Sequence, residues 1–295
     1  MGRALTKREK RTFFFLSLHG VILYTLFFIM PVILGLFYSM TDWNGISRSF
    51  NFIALENYFR IARDSRVFSS LRFNFLYMLV FVVVVNFQAM LLALLLNSAK
   101  LKFRRAFRAI FFFPAVLSMV VVGLIFDQIF YHVVPRLGDL LGWEFLMRNL
   151  LGRGETAIWG VLFVSIWRNT AVPMVLLIAG LQTVPGELIE ASILDGANGV
   201  QRFFAVIFPF LVPALNMTLV LTIKHGIMVF DVIMAMTGGG PGRSTEAIGL
   251  LVYNVGFDEM RFGYASALSF LLFGIIALIS MIQIKVLKTR EAGQI

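Results

Sequence analysis

Six long apolar runs constrain this chain more than any other feature. They cover roughly residues 13–40, 73–97, 106–131, 156–181, 206–236 and 264–284. An apolar run of about 20 residues is long enough to cross a bilayer as a helix. The runs are continuous rather than alternating, which argues against strands, and lipid admits only helices or closed barrels. The expected fold class is therefore all-α integral membrane, with six transmembrane helices in a single domain over 1–295. Composition agrees: 59% of residues are hydrophobic, 14% are charged and 32 are Phe. A soluble domain carries about 25% charge. The first run is too long for a signal-peptide core and lacks a small-residue cleavage pattern, so we read it as a retained helix.

Charge sets the expected orientation. The tail "MGRALTKREKR" holds five Lys/Arg, and "SAKLKFRRAFR" between the second and third runs holds five more. Lys285, Lys288, Arg290 and Arg202 fall on the same side. The positive-inside rule then makes both termini cytoplasmic. The formal net charge of +10 is thereby assigned to topology and inner-leaflet lipid. Nucleic acid is not an expected partner, because no basic surface interleaved with exposed aromatics is visible. The connections near 41–72, 132–155 and 237–263 face outward. The first should hold a short amphipathic helix around Leu55 to Ala62, lying on the membrane surface.

Catalytic chemistry finds no support. There is no cysteine, and His19, His132 and His225 are scattered without metal-ligand spacing. No Ser-His-Asp or paired-carboxylate arrangement converges on one segment. In "TGGGPG", Thr237 to Gly242, Pro241 follows the glycines and Arg243 comes next, where a phosphate-binding loop needs Lys opening a helix. The stretch reads as a flexible turn. The chain is not expected to be an enzyme by itself.

The segment 182–205 is the cytoplasmic exception, because it is acidic. In "ELIEASILDGANGVQRFF", Pro185 suits the first turn of a helix and Glu187 lies near that N-terminus. Leu188, Ala191, Ser192 and Asp195 share one thin face at helical spacing, and Gly196 permits a turn. A solvated linker would explain Pro185 and Glu187. Apolar and small residues held in the cytoplasm fit better with a helix presented to a groove on another protein.

"EASILDGANGVQRFFAVIFP" resembles the Glu-Ala-Ala loop of permease subunits in bacterial binding-protein-dependent ABC importers. Glu190, Ala191, Ser192, Gly196, Val206, Phe208 and Pro209 fall at that motif's spacing, with Ser, Val and Phe as mild departures. "VFDVIMAMTGGGPGRSTEAIGLLVYNVGF" is similar to a segment of the carbohydrate-uptake permeases. The resemblance implies a MetI-like permease fold with a cytoplasmic coupling helix, in the bacterial inner membrane. It implies a second permease subunit, two ATPase subunits, a solute-binding protein and a saccharide substrate as partners. ATP and Mg would be used by the partner ATPase, with no cofactor on this chain. Coupling residues would be Glu187, Glu190, Ala191, Ser192, Asp195, Gly196 and Pro209.

Charges within the runs are few, and each is a functional candidate. They are Asp127, Arg168, Lys224 and Asp231. Internal pairing, for instance of Arg168 or Lys224 with Asp231, is one reading. A polar translocation path is the other, with His225, Trp167, Asn169, Asn86 and Gln88 as further candidates. A cation at Lys224 could attract an acidic saccharide. The alternative function is an ion-coupled secondary transporter of a small polar solute, with Asp127, Asp231 and His225 as relay.

Overall fold

The computed structural model describes residues 6–98 and 102–291, with side chains except at 7–12, 284 and 286–291. The N-terminal bases, Lys100, Lys288 and Arg290, on which the expected orientation partly rests, lie outside the described side chains. The chain is helical. Among the described residues, five helices are long and apolar enough to span a membrane: α1 (Phe13–Ser39), α3 (Ser65–Asn97), α5 (Met119–Leu141), α9 (Gly199–Ile227) and α12 (Phe262–Gln283). A sixth span forms if α6 (Gly154–Asn169) and α7 (Ala171–Gln182), bent by 41°, are taken together. Shorter helices are α2 (Glu56–Ile61), α4 (Arg104–Val116), α8 (Gly186–Leu194), α10 (Asp231–Met236) and α11 (Ile248–Asp258).

The chain divides into two compact units. One comprises Met1–Asp64 and Val252–Phe273. In it the loop after α1 is tied down by polar side chains. Buried Asn57 donates from Nδ2 to the carbonyls of Ser39 and Thr41, at 2.9 and 2.8 Å. Asp42 accepts from the Asn51 backbone N–H at 2.6 Å and from its side-chain Nδ2 at 2.9 Å. These two hydrogen bonds hold the Asp42 carboxyl below its usual pKa. Trp43 stacks on Tyr38 with centroids 4.3 Å apart. The amphipathic helix expected around 55–62 is present as α2, with Ile61 buried and Phe59 exposed.

The other unit comprises Ser65–Leu251 and Gly274–Ile295. Its centre is α3 packed on α7 and α9. Small residues set the spacing there: Ala89 and Ala93 of α3 are fully buried against Leu177 and Leu211. A Cβ added to Gly180 would lie 2.8 Å from the Ala214 Cβ, so glycine allows α7 to approach α9. A buried polar clamp crosses the same interface. Asn86 donates to the Thr222 hydroxyl at 2.9 Å and accepts from the Thr218 hydroxyl at 2.6 Å.

Two runs that look continuous in sequence are broken. The run at 106–131 is divided by extended backbone at Leu117 and Ser118. The run at 206–236 belongs to a helix that begins at Gly199 and stops at Ile227. Helix resumes only at Asp231, after Phe230 at φ −146°, ψ −63°. Hydropathy is blind to both breaks, because Leu117, Met228, Val229 and Phe230 are apolar. Three prolines inside helices are accommodated without a break. Five-residue π-helical turns over Thr25–Ile29, Ile129–Val133 and Phe203–Ile207 each end two residues before a proline: Pro31, Pro135 and Pro209. Proline's ring clashes with the carbonyl four residues earlier, and widening the turn moves that carbonyl aside.

Candidate functional site

The segment 182–205 folds as a capped helix with most of its residues exposed. Pro185, in extended conformation, is the N-cap of α8 rather than a member of its first turn. At the other end Gly196 adopts φ +79°. Its N–H bonds the Ile193 carbonyl, and the Ala197 N–H bonds that of Ser192, both at 3.0 Å. This is a Schellman termination, and it explains the glycine. The next helix starts at once. Asn198 accepts from Val200 and Gln201 N–H groups, while Gln201 Oε1 accepts from the Asn198 N–H, closing a capping box. A stop and a start back to back fix the angle between α8 and α9.

The exposed face differs from the one expected. Ser192 is buried, and its hydroxyl bonds the Ile189 carbonyl at 2.7 Å. It therefore lies on the buried side of α8 and does not belong with Leu188, Ala191 and Asp195 on the thin outer face. Glu187, Glu190, Ala191 and Leu194 follow i, i+3, i+4, i+7 spacing and are all exposed, Leu194 by 88%. Leu188, Asp195 and Gly196 are exposed beside them. Pro209 lies inside α9, two residues beyond its π-helical turn.

The broken spans meet at a polar cavity of about 370 Å³. Ligand pockets usually hold roughly 300–1,000 Å³. Arg168 and Asn169 enter from the end of α6, Lys224 and His225 from the last turn of α9, and Asp231 from the start of α10. Tyr77 and Phe81 of α3 form an apolar wall. A smaller cavity of about 120 Å³ shares Phe81, Arg168, Asn169 and His225. The unwound residues Met228, Val229 and Phe230 also line the larger one.

Each charge there has a different setting. Arg168 donates to the Leu117 carbonyl from Nε at 3.2 Å and from a terminal nitrogen at 3.0 Å. That terminal nitrogen also reaches the Ala115 carbonyl at 3.5 Å. It caps the carbonyl end of α4, where a cation is favoured. Asp231 opens α10, where the helix dipole favours an acid. The pairing of Arg168 or Lys224 with Asp231 does not occur: among the described residues, neither base lies within ion-pair distance of an acid in this cavity. Of the remaining candidates, Asn86 is spent on the α3–α9 clamp and Gln88 accepts from the Thr170 hydroxyl at 3.2 Å. Asn169 donates to the Ser165 carbonyl at 2.8 Å. Trp167 packs on Phe126 at 5.3 Å, and Asp127 lies in α5 beside Gln128; neither lines the cavity.

Sequence reasoning missed a second polar assembly. Arg66, at the start of α3, makes a bidentate pair with buried Glu246 at 2.8 and 2.6 Å. Asn74 donates to the last carbonyl of α9, Ile227, at 2.8 Å, and accepts from the Ile248 N–H at 2.7 Å. The loop expected to be a flexible turn is itself tied by hydrogen bonds. The Thr245 hydroxyl lies 2.8 Å from that of Thr237 and donates to the Gly240 carbonyl, also at 2.8 Å. Gly239 adopts φ +88°, a conformation that favours glycine, and a Cβ there would lie 2.9 Å from the Leu250 Cδ2. An acid directly before the apolar run "AIGLLV" was the available signal for Glu246.

In lipid, unwound backbone is tolerated where it is buried in protein or lines a cavity, and such broken spans build the sites of transporters. Fold and cavity together define a multi-pass membrane transport protein. Residues 140–290 match the family described as "Binding-protein-dependent transport system inner membrane component". The chain belongs to that family, as its Glu-Ala-Ala-type loop led us to expect. It is 40% identical over 271 residues to the multiple sugar-binding transport system permease protein MsmF of Streptococcus mutans, covering 92% of this chain and 93% of that protein. It is 33% identical to the probable starch degradation products transport system permease protein AmyD of Thermoanaerobacterium thermosulfurigenes, covering 89% of each. Among solved structures, a bacterial ABC transporter involved in the import of the acidic polysaccharide alginate superposes with a TM-score of 0.84 at 18% identity, covering 96% of each chain. Another, the alginate transporter in complex with an alginate pentasaccharide-bound periplasmic protein, gives 0.82 at 18% identity over 94% and 93%. At that identity the likeness establishes the fold.

Proposed function

We propose that this chain is a permease subunit of an ATP-driven importer in the bacterial cytoplasmic membrane, passing a sugar or oligosaccharide delivered by a solute-binding protein. Family membership and the sugar-transport relatives support the substrate class. A second permease, two ATPase subunits and an extracytoplasmic binding protein complete the assembly. ATP and Mg belong to the ATPase; this chain contributes no catalytic group.

The single observation that carries the mechanism is the geometry of α8. Its exposed face offers Glu187 and Glu190 for ion pairs, with Ala191 and Leu194 for close apolar contact in a groove. The Gly196 termination and the Asn198–Gln201 box make its link to α9 short and rigid. Motion of α8 in the ATPase groove is therefore handed to the helix that carries Lys224 and His225. ATP shifts the balance between inward- and outward-facing states because the closed ATPase pair stabilises one of them more.

Crosslinking tests this. The chain has no cysteine, so Leu194→Cys supplies a single thiol on α8. In membranes holding the whole transporter, a bifunctional thiol reagent should join it to a cysteine placed in the ATPase groove. Absence of that adduct, alongside efficient labelling of Leu194→Cys by a small maleimide, would overturn the docking role.

A further inference from the structure

The cavity between the broken spans contains three formal charges, and two of them are answered by the protein itself. Arg168 is held against the carbonyls of Leu117 and Ala115, so its donors face the end of α4. Asp231 begins a helix that favours an acid at that end. Lys224 is different. It lines the cavity, its side chain is exposed there, and among the described residues it has no carboxylate partner. His225, the next residue in α9, and Arg168, from the end of α6, line the same cavity, and Arg168 adds positive potential there. A neutral-sugar site would be served by aromatic faces and neutral hydrogen bonds. An ammonium group is an expensive way to hold a hydroxyl, and a direct way to hold an oxyanion.

We infer that the cavity selects anionic saccharides, and that Lys224 is the residue that determines this by pairing with a carboxylate or phosphate oxygen of the passing solute. The inference rests on the proposed transport path through this cavity. Asp231, which lines the same cavity, would accept from sugar hydroxyls, which orients the ring while Lys224 holds the charge.

The test uses the complete transporter in proteoliposomes and a single cysteine at Met228, a cavity-lining residue in a chain that otherwise lacks thiols. Its labelling is compared for an anionic and a cationic methanethiosulfonate of similar size. Lys224→Gln should lower the anionic-to-cationic rate ratio about tenfold, the scale set by one charge at close range. Lys224→Arg should keep the ratio and controls for a folding defect. Glucuronate, glucose 6-phosphate and glucose then serve as protecting probes. Protection by glucuronate alone identifies a carboxylate, protection by glucose 6-phosphate alone a phosphate, and by both a general oxyanion site. All three require Lys224. Efficient labelling with a ratio indifferent to Lys224→Gln, or equal protection by glucose, overturns the inference and leaves the path intact. No labelling of Met228→Cys by any reagent overturns both.

Discussion

The Arg168 guanidinium and the Leu117 carbonyl, joined by hydrogen bonds of 3.2 and 3.0 Å, hold the third apolar run in its broken form. A helix that stops inside an apolar stretch leaves carbonyls without partners, and Arg168 supplies donors in a fixed fork. Arg168→Met should therefore cost about 2–3 kcal/mol, the scale for hydrogen bonds to a charged group. Arg168→Lys should recover part of that. Thermal unfolding of the purified protein reads both.

The Arg66–Glu246 pair anchors the glycine-rich loop, with Glu246 almost fully buried. Removing one partner of a buried pair costs about 3–5 kcal/mol, more than replacing both with apolar residues. We expect Glu246→Ala to lower the melting temperature more than the double variant Arg66→Met, Glu246→Leu does. The opposite order would assign the pair a smaller role than its geometry indicates.

Gly196 sits at φ +79° with open space around the position of a Cβ. Its requirement is conformational rather than steric. Asn tolerates the left-handed region, whereas a β-branched residue does not. Gly196→Asn should retain most ATP-driven uptake; Gly196→Val should lose most of it while still inserting in the membrane. Transport assays with membrane-level controls check this.

Asn86 separates a structural role from a pathway role. Its amide clamps Thr218 and Thr222 of α9. Asn86→Ala leaves buried hydroxyls short of partners and should cost about 1–3 kcal/mol. The preference between saccharides should not change, because Asn86 does not line the polar cavity. A change in substrate preference at unchanged stability would contradict that assignment.

Asp42 makes the loop after α1 pH-sensitive in a predictable direction. Hydrogen bonds from Asn51 stabilise its ionised form and lower its pKa from the ordinary 3.8. A depressed pKa contributes stability above the unfolded value, and that contribution is lost as pH falls through the folded value. Trp43 fluorescence should report loosening of the loop only on acidification below about pH 4, the midpoint of an ordinary Asp carboxyl, because the folded carboxyl titrates lower. Asp42→Asn should flatten that response.

What the sequence determined by itself is what hydropathy and local chemistry encode. Lipid requires continuous apolar length, so an all-helical fold with several apolar helices was legible, whereas the run at 106–131 belongs in part to a separate helix and in part to the candidate span Met119–Leu141. Helix ends are set by neighbours in the chain, so Pro185 and Gly196 marked the limits of α8 without tertiary information. The loop motif carried the family for the same reason, as a set of residues at fixed spacing. What only the tertiary structure decided is where distant side chains act on backbone. The apolar residues Leu117 and Met228–Phe230 carry no mark of unwinding. Those breaks exist because Arg168, 51 positions from Leu117, and Asn74, 153 positions from Ile227, satisfy the exposed carbonyls. The same long-range placement took Asn86 out of the list its residue type suggested, by clamping it to Thr218 and Thr222. It also left Lys224 facing open space, because no acid elsewhere in the described chain folds back to meet it.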